Sequence, residues 1–159
     1  MKKLLIILVL MVLFCSPALA ETHIYAGGKL IPKGGDTEGL GGGTVLNWIE
    51  KITPSIFICT AYTEFKTNEG EQVNDVIGQV GYLSDVMIPQ VRAHYFVKVG
   101  AGVAKEKGEK LDVAKLVTMG FCFDLSKETS LWTGTGYSDN GGLNLWSFEF
   151  GISWNINWK

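Results

Sequence analysis

Few residues of this chain have types and spacings that could support chemistry. The chain has two histidines, His23 and His94, which are far apart in the sequence and have no Cys or carboxylate cluster beside them. Protein metal sites usually need several such ligands at short, defined spacings. We therefore expect no metal site and no cofactor. His94 is interpreted instead as a polar residue that pairs with acids inside the fold.

Two cysteines, Cys59 and Cys122, lie beyond the first twenty residues. An exported protein enters an oxidising compartment, in which these thiols could form a disulfide. They fall on the third and sixth predicted strands, which are not neighbours, so a bridge would have to cross the interior. The sequence leaves the free and the bridged states open.

The segment VGAGVAKEKG contains Gly100 and Gly102 in a Gly-x-Gly arrangement. A dinucleotide-binding loop needs a strand before such glycines and a helix after them, and no helical periodicity follows here. Basic residues form no run, and residues 21–159 carry 12 basic against 16 acidic side chains. We therefore expect neither a nucleotide cofactor nor a nucleic-acid partner.

The segment GYSDNGGLN contains a serine, Ser138, that precedes the acidic Glu149. It resembles the His-x-Ser-Asn segment of the lipid A deacylase barrels, with Ser138 in the serine position and Glu149 near the spacing of that family's acid. The base position is Gly136, however, and without a histidine nothing accepts the serine proton. A polar hairpin turn is the alternative interpretation. We predict that the protein is not an enzyme.

The elements that position these residues follow an N-terminal leader. Residues 1–20 contain two early lysines, an unbroken apolar run of eleven residues and a closing Ala-Leu-Ala. This layout is typical of a secretory signal peptide, whereas a membrane anchor needs about 20 apolar residues. Lipidation at Cys15 is the other alternative, and the bulky Phe14 before it disfavours that reading. We predict a signal peptide, 1–20, and a single domain, 21–159.

That domain consists of short extended segments. Eight strand-like segments alternate with seven turns or loops, and no stretch shows helical periodicity over ten or more residues. Charged residues make up 19% of the chain, which is below the ~25% typical of soluble domains. The pattern predicts an all-β fold, either a sandwich or a barrel.

The final segment, WSFEFGISWNINWK, indicates which kind of barrel this is. One face of it is apolar and consists of Trp146, Phe148, Phe150, Ile152, Trp154, Ile156 and Trp158. The other face is small or polar, with Glu149 as its one charge. Seven bulky residues would overfill an eight-stranded interior, but they suit a lipid-facing surface around a polar lumen. We predict that Trp146, Trp154 and Trp158 form a lipid-facing aromatic girdle.

Backbone chemistry then requires closure of the sheet. In lipid every N–H and C=O must be paired within the protein, so we predict an all-β, eight-stranded antiparallel up-and-down transmembrane β-barrel. Residues 21–159 resemble the small eight-stranded outer-membrane barrels of the OmpA/OmpX type in length and pattern. The specific match is the closing strand, with alternating aromatics at Phe148, Phe150, Trp154 and Trp158. Lys159 departs from that family, which usually ends on the aromatic residue.

The resemblance implies a location in the cell outer membrane. Its lipids, and the outer-membrane assembly machinery acting through the C-terminal strand, are the expected partners, and we expect a monomer. We predict a structural or surface-interaction role, with outward loops near 32–43, 67–75, 105–110 and 138–142. The alternatives are a pore, a lipid A-modifying barrel enzyme and a soluble periplasmic barrel of the lipocalin type.

The predicted lumen carries a polar network of Arg92, His94, Lys98 and Glu149. The three basic residues alternate along one face of a single segment, so they would repel one another unless acids faced them. We predict that Glu149 pairs with Lys98 or Arg92, and that Asp124 lies nearer the periplasmic rim.

Overall fold

Eight antiparallel strands form the whole of the described fold. The computed structural model describes residues 21–32, 41–66, 72–88, 90–106, 110–140 and 143–156. The strands are β1 (Glu21–Ile31), β2 (Gly41–Lys51), β3 (Ile56–Lys66), β4 (Gln72–Ile88), β5 (Ala93–Glu106), β6 (Leu111–Asp124), β7 (Thr129–Asn140) and β8 (Leu143–Asn155). The predicted signal peptide, 1–20, and the residues Trp158 and Lys159 lie outside the described part of the chain.

Each strand pairs with its neighbours in sequence, and β1 also pairs with β8. The sheet is therefore a closed barrel without a free edge, which confirms the predicted fold class. The first and last strands meet along a register that includes Ile24 opposite Trp154 and Lys29 opposite Glu149. No helix among the described residues is long and apolar enough to span a membrane.

Alternation along the strands gives the barrel an inner and an outer face. On β8, Leu145, Ser147, Glu149, Gly151 and Ser153 are buried, whereas the residues between them are exposed or half-buried. On β5, Phe96 and Lys98 are buried while Val97 and Val99 are exposed. The small and polar residues therefore line the interior, and the bulky apolar residues of the same strands form the outer surface.

One close contact in the interior requires a glycine, Gly81. A Cβ atom at Gly81 on β4 would overlap the ring of Phe57 on β3, which is 2% exposed. Glycine at this position lets a phenylalanine fill the lumen beside it. The close approach explains why a strand of this barrel tolerates a residue that strands otherwise disfavour.

The barrel has two distinct ends. Its terminal end is the one at which β1 begins and β8 ends, together with the turns at 52–55, 90–92 and 125–128. The opposite end, called the far end below, carries the other four connections. These are shorter than the sequence indicated, because β2 starts at Gly41, β4 starts at Gln72 and β7 continues to Asn140.

Two apolar clusters fill the interior. The terminal cluster comprises Tyr25, Val45, Ile49, Phe57, Cys59, Leu83, Phe96, Cys122 and Trp132. The far cluster comprises Ile31, Phe65, Val73, Ile77, Ala104, Ala114, Leu116 and Leu145. Buried polar residues lie between these clusters, so the lumen is a packed core with a charged layer inside it.

Candidate functional site

The charged layer is centred on an ion pair between opposite walls of the lumen. Lys98 Nζ on β5 donates to Glu149 Oε2 on β8 at 3.1 Å, and each side chain is 7% exposed. The two strands are not neighbours in the sheet. The pair therefore bridges the lumen and does not run along one wall.

Two further charges lie beside this pair. Lys29 on β1 and Asp75 on β4 are each 1% exposed, and the Lys29 ammonium interacts electrostatically with both Asp75 and Glu149. Lys29 Nζ also lies 5.0 Å from the centre of the Phe65 ring, within cation–π range. Two buried bases thus face two buried acids, which limits the cost of removing all four from water.

Sequence reasoning missed Lys29 and Asp75. Both lie on the strands whose faces alternate poorly, since Gly27 and Gly28 interrupt the pattern on β1. The available signal was the inward series His23, Tyr25, Gly27 and Lys29, which continues to the buried Ile31.

Arg92 does not belong to the lumen network, and its predicted place is corrected. It is exposed and lies in the turn before β5, which begins at Ala93, and its φ of 48° is in the left-handed region. The two-residue alternation that placed it inward holds only within a strand. The register of β4 and β5 also shifts between Leu83 and Met87, next to this turn.

His94 lies apart from the ion pair, at the terminal end. Its Nδ1 is 2.8 Å from the carbonyl oxygen of Ser84, and its Nε2 is 3.3 Å from Asp124 Oδ2. Both partners of the His94 ring are hydrogen-bond acceptors. Asp124 also accepts a hydrogen bond from Ser130 Oγ at 3.1 Å.

A cavity of about 530 Å³ opens at this end of the barrel, and we call it the terminal mouth. Its floor includes Leu83, Cys122 and Trp132, and its rim carries the His94–Asp124 pair on one side. On the other side Lys51 Nζ pairs with Glu21 Oε2 at 3.3 Å, and His23 Nε2 lies 3.6 Å from the same oxygen. The terminal mouth is therefore lined by both polar and apolar side chains.

The space deeper in the lumen is much smaller. The cavity lined by Lys98, Glu149 and the side chains of the terminal cluster measures about 10 Å³, about the minimum for one water molecule. Beyond it lie the charged layer and then the far cluster. Buried side chains therefore fill the described lumen beyond the terminal mouth.

The outer surface carries aromatic residues near both ends. Trp146 and Trp154, two of the three predicted girdle residues, are outward and 54% and 44% exposed. Further exposed aromatics that the sequence analysis did not assign are Trp48, Tyr62, Tyr82, Tyr95 and Tyr137. Between these levels the surface consists of residues such as Val80, Val99 and Met119, all exposed. Exposed aromatic residues near both ends thus flank a band of exposed aliphatic residues, and the lipid-facing girdle stays a prediction.

The polar-turn interpretation placed Ser138 in a hairpin turn, and the structure contradicts this. Ser138 lies on β7, which continues to Asn140, and it is inward and 0% exposed. Its register partners are Leu116 and Leu145 of the far cluster. A lipid outside the barrel cannot reach this hydroxyl, so the geometry is unsuited to a serine nucleophile.

Cys59 and Cys122 are free, buried thiols of the terminal cluster. Cys59 Sγ donates to Gln79 Oε1 at 3.1 Å. Among the described residues, no group of three or more His, Cys, Asp or Glu side chains is arranged to hold a metal ion.

Comparisons with known proteins show the fold. No protein-family model and no curated protein matches the sequence. The solved structures it resembles include Neisserial surface protein A, at 13% identity and a TM-score of 0.64, covering 88% of this chain and 98% of that one. The N-terminal β-barrel domain of Pseudomonas aeruginosa OprF has 12% identity and a TM-score of 0.61, with coverages of 86% and 97%.

A third similar structure is the Yersinia pestis outer membrane protein Ail in a phospholipid bilayer nanodisc. It has 12% identity and a TM-score of 0.57, and the match covers 86% of this chain and 99% of Ail. Identities this low establish the architecture only. The chain therefore has the fold of the small eight-stranded outer-membrane β-barrels.

Proposed function

We propose that this protein is a non-conducting β-barrel of the outer membrane with a structural role. The observation that carries the proposal is the packed lumen, in which the Lys98–Glu149 pair lies between two apolar clusters. The outer surface is apolar at the same levels. A barrel with this inside and outside suits a lipid bilayer and has no evident path for ions.

The outer membrane is proposed because a protein of the same fold, Ail of Yersinia pestis, is an outer membrane protein. The apolar run of residues 1–20 supports export by a signal peptide. On this proposal the terminal mouth faces the periplasm and the closing strand, β8, is the part that the assembly machinery recognises. The far-end loops then face outward and are available for surface interactions.

An enzymatic role has no support in the described residues. Ser138 is enclosed by the far cluster, and Glu149 is held by Lys98. A lipid A-modifying enzyme needs its nucleophile and base at the surface that contacts the lipid.

The test of location is fractionation of cells that produce the full chain. We expect the protein in the outer-membrane fraction, with a faster-migrating band on gels of unheated samples than of boiled ones. Closed barrels often keep their compact form in detergent until they are heated. Recovery from the soluble periplasmic fraction would contradict the proposal and favour the lipocalin-type alternative.

The test of the closed lumen is a conductance measurement on the purified barrel in planar lipid bilayers. We expect no steady conductance steps above the baseline of the bare bilayer. Uniform conductance steps whose number increases with the amount of inserted protein would show that the lumen conducts. That result would contradict the closed lumen and favour the pore alternative.

A further inference from the structure

The terminal mouth has the size and composition of a small-molecule site. Its volume of about 530 Å³ falls within the roughly 300–1,000 Å³ typical of ligand pockets. Its lining combines apolar side chains, among them Leu83 and Trp132, with polar groups that could fix the orientation of a ligand. Among the described residues, the connections at this end include two short hydrogen-bonded turns, at 52–55 and 125–128.

One wall of the terminal mouth carries a buried polar atom that needs a partner. His23 is 8% exposed, and its Nε2 has no hydrogen-bond partner among the described residues. The nearest carboxylate oxygen, Glu21 Oε2, is 3.6 Å away, which is too long for a hydrogen bond. Because an unpaired buried nitrogen costs free energy, a ligand group that pairs with His23 would be stabilised there.

A second unpaired atom lies beside it. Asn155 on β8 is the register partner of His23 on β1, and its Oδ1 is buried without a partner in the described part of the chain. Native proteins leave few buried polar atoms unpaired. The two atoms lie on adjacent strands at the terminal end, and the His23 side chain lines the terminal mouth.

The charges of the rim decide which kind of ligand suits the pocket. Lys51 is paired with Glu21, and Asp124 faces His94 and Ser130. Each of these charged groups already has a partner in the rim, so we assign no charged group to the ligand. The floor of Leu83, Cys122 and Trp132 favours an apolar body.

We propose that the terminal mouth binds an uncharged small molecule that has an apolar body and one hydroxyl or N–H group. The apolar body packs against Trp132 and Leu83, and the polar group forms a hydrogen bond with His23 Nε2. The inference goes beyond the structural role and concerns the purified barrel, so it does not depend on which side of a membrane the pocket faces.

The experiment is an NMR titration of the folded, isotope-labelled barrel in detergent micelles with phenol as the probe. Phenol has an aromatic body and one hydroxyl group, and toluene is the matched probe without the hydroxyl. We expect saturable shifts of the Trp132 indole N–H, assigned with Trp132→Phe, and of the His23 ring. Toluene should bind roughly tenfold more weakly, as expected for the loss of one buried hydrogen bond.

A variant distinguishes binding of the probe in the terminal mouth from its partitioning into the micelle. His23→Leu should abolish the preference for phenol over toluene, whereas Ser138→Ala, at the far end of the lumen, should keep it. The comparison of the two probes on the unaltered barrel is decisive even if His23→Leu fails to fold. Equal binding of phenol and toluene, or shifts confined to outward residues such as Trp146, would overturn the proposal.

Discussion

Lys98 and Glu149 meet across the barrel, from β5 and β8, at 3.1 Å and with both side chains almost fully buried. The two strands are separated by β6 and β7 in one direction around the sheet and by β1 to β4 in the other. This contact therefore links opposite walls, in addition to the hydrogen bonds that run between neighbouring strands.

Removal of one partner of this pair should destabilise the barrel strongly. Glu149→Ala leaves the Lys98 ammonium buried without its acid, and we expect a loss on the order of 3 kcal/mol in the free energy of unfolding. The measurement is urea unfolding of the barrel refolded into lipid vesicles. Glu128→Ala, in an exposed turn, is the control and should have little effect.

Replacement of both charges should cost less than replacement of one. In Lys98→Met combined with Glu149→Leu no charge of the pair remains to be desolvated, and buried ion pairs can often be replaced by apolar residues without loss. If the double variant is as unstable as Glu149→Ala, or less stable, the pair stabilises the fold by more than its desolvation costs.

The contact between His94 and Asp124 at the terminal mouth should matter less than the Lys98–Glu149 pair in the lumen. The Asp124 side chain is 37% exposed and that of His94 is 20% exposed, so water screens their contact. We expect Asp124→Ala to cost about 1 kcal/mol or less, measured by the same urea unfolding. A cost equal to that of Glu149→Ala would mean that solvent does not screen this end of the barrel.

A charge introduced on the outer surface should destabilise the barrel more near the middle of the bilayer than near its edge. Val99 lies at the middle of β5 and is 50% exposed, while Val113 lies near the far end of β6 and is 61% exposed. We expect Val99→Arg to cost about 2–4 kcal/mol and Val113→Arg about 0–1 kcal/mol in lipid vesicles. Equal costs for the two variants would contradict the lipid-facing band.

The thiols should be unreactive until the barrel unfolds. Cys59 and Cys122 are buried and free, so a bulky maleimide should not label the folded protein. After unfolding without reductant, two labels per chain are expected if residues 1–20, which contain Cys15, have been removed. Three labels would indicate a retained leader, and none would indicate a disulfide.

Gly81→Ala should strain the lumen, because its Cβ would overlap the Phe57 ring. We expect a loss of about 1–3 kcal/mol, as for other overpacked interiors. Phe57→Leu in the same chain should recover part of the loss by making room. If Gly81→Ala is neutral on its own, Phe57 moves more easily than its burial indicates.

The sequence by itself determined which residues of the regular strands face outward. The two-residue alternation of β8 predicted its outward Trp146 and Trp154 and its inward Glu149, because successive side chains of any strand point to opposite faces. The same rule held for Phe96 and Lys98 on β5. The polar inner face and the apolar outer face of β8 then indicated a barrel in lipid. The closed sheet confirms the predicted barrel architecture.

Tertiary structure alone decided which inward residues meet. The partner of Glu149 depends on the register of all eight pairings around the closed sheet, a quantity that no single strand encodes. This register brings Lys98 to Glu149 in the lumen. It brings His94 to Asp124 at the terminal mouth, apart from that pair. The start of β5 at Ala93 excluded Arg92 from the lumen, because alternation ends where the strand does.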